Sequence, residues 1–240
     1  MDAEDRIRKL EAAVENLTRH VGQLDDVHAI RRLHHLYGYF IDKCLYAEVV
    51  DLFDDEGEVR FMGGIFKGKA GARRLYIDRF RKTFTNDLNG PVYGFLLDHP
   101  QFQDVVDVAP DRKTAKARFR CMMQAGRHES LGGGEEGAVP RQWWEGGVYE
   151  NEYVNRDGIW KIKVLDYNPI WHGTFEKGWA HTPPNFVPFF SKTFPEDPVG
   201  PDVLATDPHR KLWPETSVVP FHCTHPVTGK PVIPQPQPPR

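Results

Sequence analysis

Residues 34–43, HHLYGYFIDK, place two histidines, two tyrosines and an aspartate in a stretch that is otherwise patterned as one helix. A helix packed on a domain normally keeps such groups on its solvent side. The chemistry of this stretch therefore depends on whether Tyr37 and Asp42 point to solvent or into the domain. His99 raises the same question, because it lies in the apolar stretch LLDHPQF beside a proline that removes one strand hydrogen bond.

Together these residue types suit proton transfer. A histidine with a near-neutral pKa can accept and donate a proton, a carboxylate can orient it, and a tyrosine can hydrogen-bond a phenolate or carbonyl oxygen. Such a set favours elimination from an aromatic substrate without a cofactor, provided that the substrate supplies its own electron sink. The alternative is structural: Tyr37 in the core, Asp42 capping the helix or facing water, and His99 satisfied within a strand.

Composition excludes several partners. The formal charge is −3 and basic runs are absent from the sequence, so neither nucleic acid nor an anionic membrane surface is expected to bind. Apolar runs are far shorter than a bilayer span, and the charged start MDAEDRIRKL is unlike a signal peptide. We therefore expect a cytoplasmic protein with no membrane partner.

Cofactor signatures are also missing from the sequence. The three cysteines, Cys44, Cys121 and Cys223, are odd in number and widely scattered, so neither a disulfide framework nor a metal-ligand spacing is indicated. The glycine-rich stretch 132–137 lacks a P-loop lysine and does not follow a strand–helix switch. The expectation is no metal, nucleotide or flavin.

The N-terminal segment, residues 1–26, has apolar residues at alternating steps of three and four. We call these six residues the N-terminal seam: Ile7, Leu10, Val14, Leu17, Val21 and Leu24. The spacing predicts a heptad helix, which either docks on its own domain or joins copies of the chain in a homo-oligomer.

Residues 27–173 read as one domain, and residues 174–240 as a tail. The domain pattern predicts two helices, a hairpin turning at Gly63-Gly64, a third helix, and then an antiparallel meander of four strands. Fifteen of the 20 prolines lie from Pro183 to Pro239, which excludes a second core, but the interspersed aromatics argue against disorder. We expect the tail to wrap in extended form over its own domain or a neighbouring subunit.

Four stretches in this order, VVDLFDDEGEV, GGIFKGKAGAR, LLDHPQFQDVVDVAPDRKTAKARFR and GVYENEYVNRDGIWKI, resemble the SnoaL-like branch of the nuclear transport factor 2-like (NTF2-like) superfamily. The resemblance covers roughly residues 25–170. It implies an α+β cone of three N-terminal helices on a strongly curved antiparallel sheet, with an apolar pocket at the open end. Members include dehydratases, isomerases, cyclases, epoxide hydrolases and non-catalytic binding modules, so the fold alone does not decide activity.

The same resemblance implies site residues. Tyr37, Asp42 and His99 stand at the positions of pocket residues in SnoaL-like dehydratases and are the predicted catalytic set. Scytalone-dehydratase-like members carry a second histidine where this chain has FRCMMQAG, so strand alternation nominates Asp166 or Asn168 for that role, unless Asp166 is a solvated strand-end residue. The predicted substrate-binding residues are Phe40, Arg120, Gln124, Tyr149, Trp160, Asp166 and Asn168.

With its seam and aromatic tail, the chain is similar to the diarylpropane lyases of lignin-catabolising bacteria. That similarity implies a cofactor-free lyase in which a phenolic diarylpropane diol loses its benzylic hydroxyl through a quinone methide and releases formaldehyde to give a stilbene. The alternatives are a dehydratase or isomerase of a polyketide- or steroid-like ring, and a non-catalytic module that binds a hydrophobic ligand or protein. The resemblance to the dehydratases implies a homo-oligomer of three chains.

Overall fold

The computed structural model describes residues 2–131, 142–183, 189–205 and 211–235. Its first helix, α1 (Ala3–Asp42), is continuous over 40 residues, and Asp2 caps it by accepting a hydrogen bond from the Asp5 N–H at 2.8 Å. From Gly22 onward one face of α1 is buried against the sheet. Among the described residues α1 is long enough to cross a bilayer but too polar, and the other helices are too short.

The N-terminal seam lies on the part of α1 that precedes this buried face. All six seam side chains are 54–64% exposed. The seam therefore does not dock on its own domain within the described residues, and its role in joining copies of the chain stays a prediction.

The remaining helices are short. They are α2 (Tyr46–Asp51), α3 (Gly68–Arg73), α4 (Lys82–Thr85) and α5 (Gly178–His181), with a π-helical segment (Arg74–Arg81) between α3 and α4 and a 3₁₀ turn (Glu129–Leu131). The strands are β1 (Phe53–Phe61), β2 (Gly64–Lys67), β3 (Phe95–Asp98), β4 (Gln101–Val108), β5 (Thr114–Arg127), β6 (Gln142–Arg156), β7 (Ile159–Thr174) and β8 (Val203–Leu204).

The strands form one sheet in the order β3-β5-β6-β7-β1-β2-β8, with β4 also paired to β5. The pairs are antiparallel except that β1 runs parallel to β7. The α-helices from α1 to α4 pack on the inner face of the sheet, and this face carries the core. The predicted α+β fold, with an N-terminal helix on a curved antiparallel sheet, is confirmed.

Two local details differ from the predicted elements. The hairpin turn lies one residue earlier than predicted, at Met62-Gly63, where both residues have positive φ. The first predicted meander strand is split into β3 and β4 at His99-Pro100, and both pieces pair with β5. The proline lacks the N–H that would continue the ladder, so the chain leaves the sheet at His99.

The C-terminal strap, which we define as the described residues 189–205 and 211–235, is ordered on its own chain. Arg74, whose side chain is 10% exposed, donates to the Asp202 carboxylate at 2.5 Å and to the Gly200 carbonyl at 2.8 Å. The buried Phe190 packs edge-on against Phe66. The glycine-rich stretch 132–137 and the tail aromatic Phe186 lie outside the described residues.

Candidate active site

The C-terminal turns of α1 supply two of the predicted catalytic residues. Tyr37 is 4% exposed and lies in the core, and Asp42 is the last residue of the helix. Five residues correspond to about 140° of helical rotation, so the two side chains do not share one face. They are brought to one site because the segment between β3 and β4 crosses the end of the helix.

A glycine allows β4 to come this close to α1. A Cβ atom on Gly38 would lie 2.8 Å from Cγ of Gln101, the first residue of β4. The Gln101 side chain occupies that space and donates to the His99 carbonyl at 2.8 Å. Gln101 thus links the helix surface to the backbone of His99.

Asp42 and His99 form a hydrogen-bonded pair. One carboxylate oxygen of Asp42, Oδ1, bonds His99 Nδ1 and also accepts the backbone N–H of His99 at 3.0 Å. The Asp42 side chain is 13% exposed and that of His99 is 7% exposed. Since two bonds to one oxygen fix the imidazole with its proton on Nδ1, Nε2 is the nitrogen with a lone pair for proton transfer.

Tyr37 lies beside this pair but does not bond to it. Its ring centroid is 6.4 Å from that of His99, and its hydroxyl lies 3.2 Å from the hydroxyl of Tyr76. Burial, reinforced by the neighbouring Tyr149, holds the Tyr37 pKa well above its usual range. Tyr37 therefore stays neutral and can act as a hydrogen-bond donor near neutral pH.

A continuous row of side chains runs inward from the pair, and we call it the tyrosine row: His99, Tyr37, Tyr149, Tyr167 and Glu145. Tyr149 lies 5.9 Å from Tyr37 and 4.9 Å from Tyr167, measured between ring centroids. The Tyr167 hydroxyl donates to Glu145 Oε1. The row places aromatic rings, inclined to their neighbours by 66°, 76° and 40°, between two ionisable groups.

Glu145 was not predicted from the sequence. It is 1% exposed, and its second oxygen, Oε2, is buried without a hydrogen-bond partner among the described residues. Burial raises the pKa of Glu145 to about 7, although the Tyr167 hydrogen bond opposes this rise. Alternation in WWEGGVYENEY puts Glu145 on the same strand face as Tyr149, and this signal could have identified it.

His34 was also missed, because HH at the start of the motif resembles a solvent-facing pair. It is fully buried and stacks on Phe119 at 3.8 Å between centroids. Nε2 donates to Gln101 Oε1 at 3.1 Å, and Nδ1 faces the Asn151 amide and the Tyr153 hydroxyl, each at 3.2 Å. Burial lowers the pKa of His34 to about 3, so it is a neutral support for Gln101.

Two predicted substrate-binding residues belong to the same inner face as the pair. Tyr149 is a member of the tyrosine row, and Phe40 is half-buried on α1 and packs against the core. Arg120 and Gln124 lie on the outer face of β5, away from the Asp42–His99 pair, and their substrate-binding role stays a prediction. Arg120 is solvent-exposed, and Gln124 is flanked in the sheet by Asp98 and the exposed Trp144.

Asp166 and Asn168 also face outward. Glu152 pairs with Val164 but the next residue, Tyr153, pairs with Ile162, so β7 contains a bulge that reverses its alternation. Leu165 and Tyr167 consequently face the core, and Asp166 lies 3.8 Å from the outer Arg60 guanidinium. These two residues do not provide the second acid/base group at the inner site.

Trp160 faces inward but lies far from the pair. Its indole N–H donates to Asp26 at 2.9 Å, and Asp26 also pairs with Arg112. Asp26 precedes Asp42 by more than four turns of α1, which corresponds to roughly 24 Å along the helix axis. The structure therefore does not bring Trp160 to the proposed site of proton transfer.

A separate cavity of about 400 Å³ lies on the outer face of the sheet, under the strap. It is lined by Met122, Trp144, Ile170, Trp171, Trp179 and Trp213. None of these lining residues titrates near neutral pH. In this respect the lining differs from the inner face, where the Asp42–His99 pair and Glu145 lie.

A helix-backed cone with a carboxylate–histidine pair beside a row of aromatic side chains defines the class of protein. Residues 22–166 match the model of the SnoaL-like domain, and the chain belongs to this family of the NTF2-like superfamily. The comparison with curated proteins found no match.

Solved structures share the fold at low identity. A putative scytalone dehydratase from Novosphingobium aromaticivorans DSM 12444 is 17% identical, with a TM-score of 0.51 over 70% of this chain and 96% of that one. LinA is 17% identical, with a TM-score of 0.53 over 69% and 99% of the two chains. A hexachlorocyclohexane dehydrochlorinase, LinA type 2, is 18% identical, with a TM-score of 0.50 over 70% and 99%.

Proposed function

We propose that the protein is a cofactor-independent lyase that eliminates from a phenolic aromatic substrate. The observation that carries this proposal is the Asp42–His99 pair, held by two hydrogen bonds to one carboxylate oxygen at the end of the tyrosine row. In this arrangement Asp42 keeps the Nδ1 proton in place and stabilises the imidazolium, so that Nε2 can accept and return a proton. The dehydratase and dehydrochlorinase names of structural neighbours agree with elimination chemistry but show only the fold.

The proposed substrate is a 1,2-diarylpropane-1,3-diol with a para-hydroxyphenyl group on the benzylic carbinol, of the kind derived from lignin. In the first step the phenol passes its proton to the carboxylate of Glu145 and the benzylic C–O bond breaks, while the departing hydroxyl takes a proton from the imidazolium form of His99 to leave as water. The product of this step is a quinone methide. Tyr37 donates a hydrogen bond to the substrate's phenolic oxygen, and Glu145 is the second acid/base group.

In the second step His99, now neutral, takes the proton of the terminal CH₂OH. The bond between this carbon and the chain breaks, formaldehyde leaves, and the electron pair forms the alkene while the ring recovers its aromaticity as a phenolate. Reprotonation of the phenolate completes the turnover. The diol is thus converted into stilbene, formaldehyde and water, and neither an oxidant nor a metal is required for the atoms and electrons to balance.

The experiment is incubation of the purified protein with such a diol while stilbene absorbance and formaldehyde are followed together. The matched control is the same diol with its phenol methylated, which cannot form a quinone methide and should be inert. Equal release of stilbene and formaldehyde from the phenol alone is the expected result. Absence of both products from the phenolic diol would refute the proposed substrate.

A simple dehydratase is the second candidate, because the same pair can remove water without breaking a carbon–carbon bond. It predicts loss of water with no formaldehyde, so the two candidates are distinguished in one assay.

A further inference from the structure

On the outer face of the sheet the strap is fixed over β4, β5 and β6. Arg118 on β5 donates to the carbonyl oxygens of Val219 at 2.8 Å and Pro220 at 2.6 Å, and its guanidinium lies 3.9 Å from the centre of the Phe221 ring. These contacts place the following residue, His222, against the sheet, where its side chain is 4% exposed.

The tautomer of His222 is determined by Glu150. Nδ1 of His222 bonds Glu150 Oε1, and the other oxygen of Glu150 accepts from Arg118 Nε at 2.5 Å. A carboxylate that already accepts from Arg118 acts as an acceptor toward the ring as well, so the imidazole proton lies on Nδ1.

The other nitrogen, Nε2, then carries a lone pair that faces a carboxylate oxygen, so a hydrogen-bond donor or a cation between the two atoms would be stabilising. It lies 3.0 Å from Asp107 Oδ2, yet it is buried without a hydrogen bond in the described part of the chain. A proton on Nε2 could form a hydrogen bond to Asp107 Oδ2 only if the two atoms had hydrogen-bond geometry, and they do not. The sulfur of Cys223 completes the group, in which the three ligand atoms all lie within 4.8 Å of one another.

We propose that Asp107, His222 and Cys223 bind a zinc ion that clamps the strap to the sheet. Imidazole, thiolate and carboxylate are the ligands that zinc prefers, and tetrahedral zinc separates its ligand atoms by roughly 3–4 Å. The Asp107 side chain is 58% exposed and can rotate to close the remaining gap. Cys223 releases its thiol proton to solvent on binding, and water takes the fourth position.

Glu150 is not a ligand, but it orients the ligand His222. A zinc-bound histidine typically donates its second N–H to a carboxylate, which orients the ring and raises its basicity. Glu150 does this for His222, and Arg118 in turn holds Glu150. The ligands come from β4 and from the strap, far apart in sequence, which explains why residue spacing did not predict a metal site.

The test is a zinc titration of the full-length protein after chelator treatment and dialysis, in competition with a chromophoric chelator. We expect one zinc per chain. Glu150→Gln should weaken binding about 10–100-fold, the usual effect of changing a carboxylate that orients a zinc ligand, and Cys223→Ser, which removes a ligand, should weaken binding further. The matched control is Glu152→Gln, which removes an exposed carboxylate near the same face and should bind like wild type.

Cobalt provides a second readout, in which circular dichroism checks that the variant is folded. Added alone to the wild-type protein, Co²⁺ should give a thiolate-to-cobalt absorption band, which Cys223→Ser should lack while its circular dichroism is unchanged. The other two cysteines, Cys44 and Cys121, are buried and do not compete. Absence of stoichiometric zinc binding, or a cobalt band that survives Cys223→Ser, would overturn the proposal.

Discussion

Glu145 gives a prediction whose size follows from the structure. Its pKa rises from 4.5 to about 7 in the folded protein. The folded state therefore keeps a proton that the unfolded state has already lost, so stability decreases as pH rises from about 4.5 to about 7 and is level above. The pKa difference corresponds to about 3 kcal/mol.

The perturbation is Glu145→Gln, which keeps an acceptor for the Tyr167 hydroxyl but cannot ionise. Denaturant unfolding of wild type and variant is measured at pH 5 and pH 8, at one protein concentration. Between these pH values wild type should lose up to about 3 kcal/mol more stability than the variant. Glu152→Gln, an exposed control, should follow wild type. Equal pH dependence of wild type and Glu145→Gln would refute the assignment of a buried, proton-retaining Glu145.

Two further predictions concern the seam and the strap. If the seam joins copies of the chain, light scattering of the wild-type protein should give a multiple of 27.6 kDa, and so should the exposed control Glu15→Gln. Leu17→Asp places a charge on the seam and should give the mass of a single chain. A monomeric wild-type protein would contradict this prediction. Arg74→Met should destabilise the fold by about 3 kcal/mol, because it leaves the partly buried Asp202 without its ion pair. The control Lys192→Met removes an exposed ion pair with Glu196 and should have little effect on the free energy of unfolding. A similarly small effect of Arg74→Met would mean that Arg74 does not anchor the strap.

The fold was predictable from local patterns and from the order along the chain of the four stretches that resemble the SnoaL-like branch. Helical spacing marked α1, and the glycines at 63 and 64 marked the β1–β2 hairpin. The resemblance to the SnoaL-like branch brought Tyr37, Asp42 and His99 to one place, and their catalytic role stays a prediction. Strand alternation would also have found Glu145, since it lies four residues before Tyr149.

The failures arise where tertiary structure overrides a local pattern. The bulge in β7 moves Asp166 and Asn168 to the outer face, and a bulge leaves no clear signal in the sequence. His34 looks solvent-facing, but Gln101, Asn151 and Tyr153 satisfy its ring from three different strand positions. The strap's contact with Arg74 depends on residues far apart in the chain.

The most direct test of the account is the turnover of Asp42→Asn on the phenolic diol. The asparagine oxygen can still accept both the His99 backbone N–H and the Nδ1–H, so the fold and the position of the ring should persist, but without the carboxylate charge the imidazolium that forms during proton transfer is no longer stabilised. We predict kcat/KM lower by about 10²–10⁴-fold, the usual contribution of such a group, with Asp51→Asn, an exposed helix-end control, unaffected. A kcat/KM for Asp42→Asn near that of wild type would contradict the proposal that the Asp42–His99 pair performs the elimination.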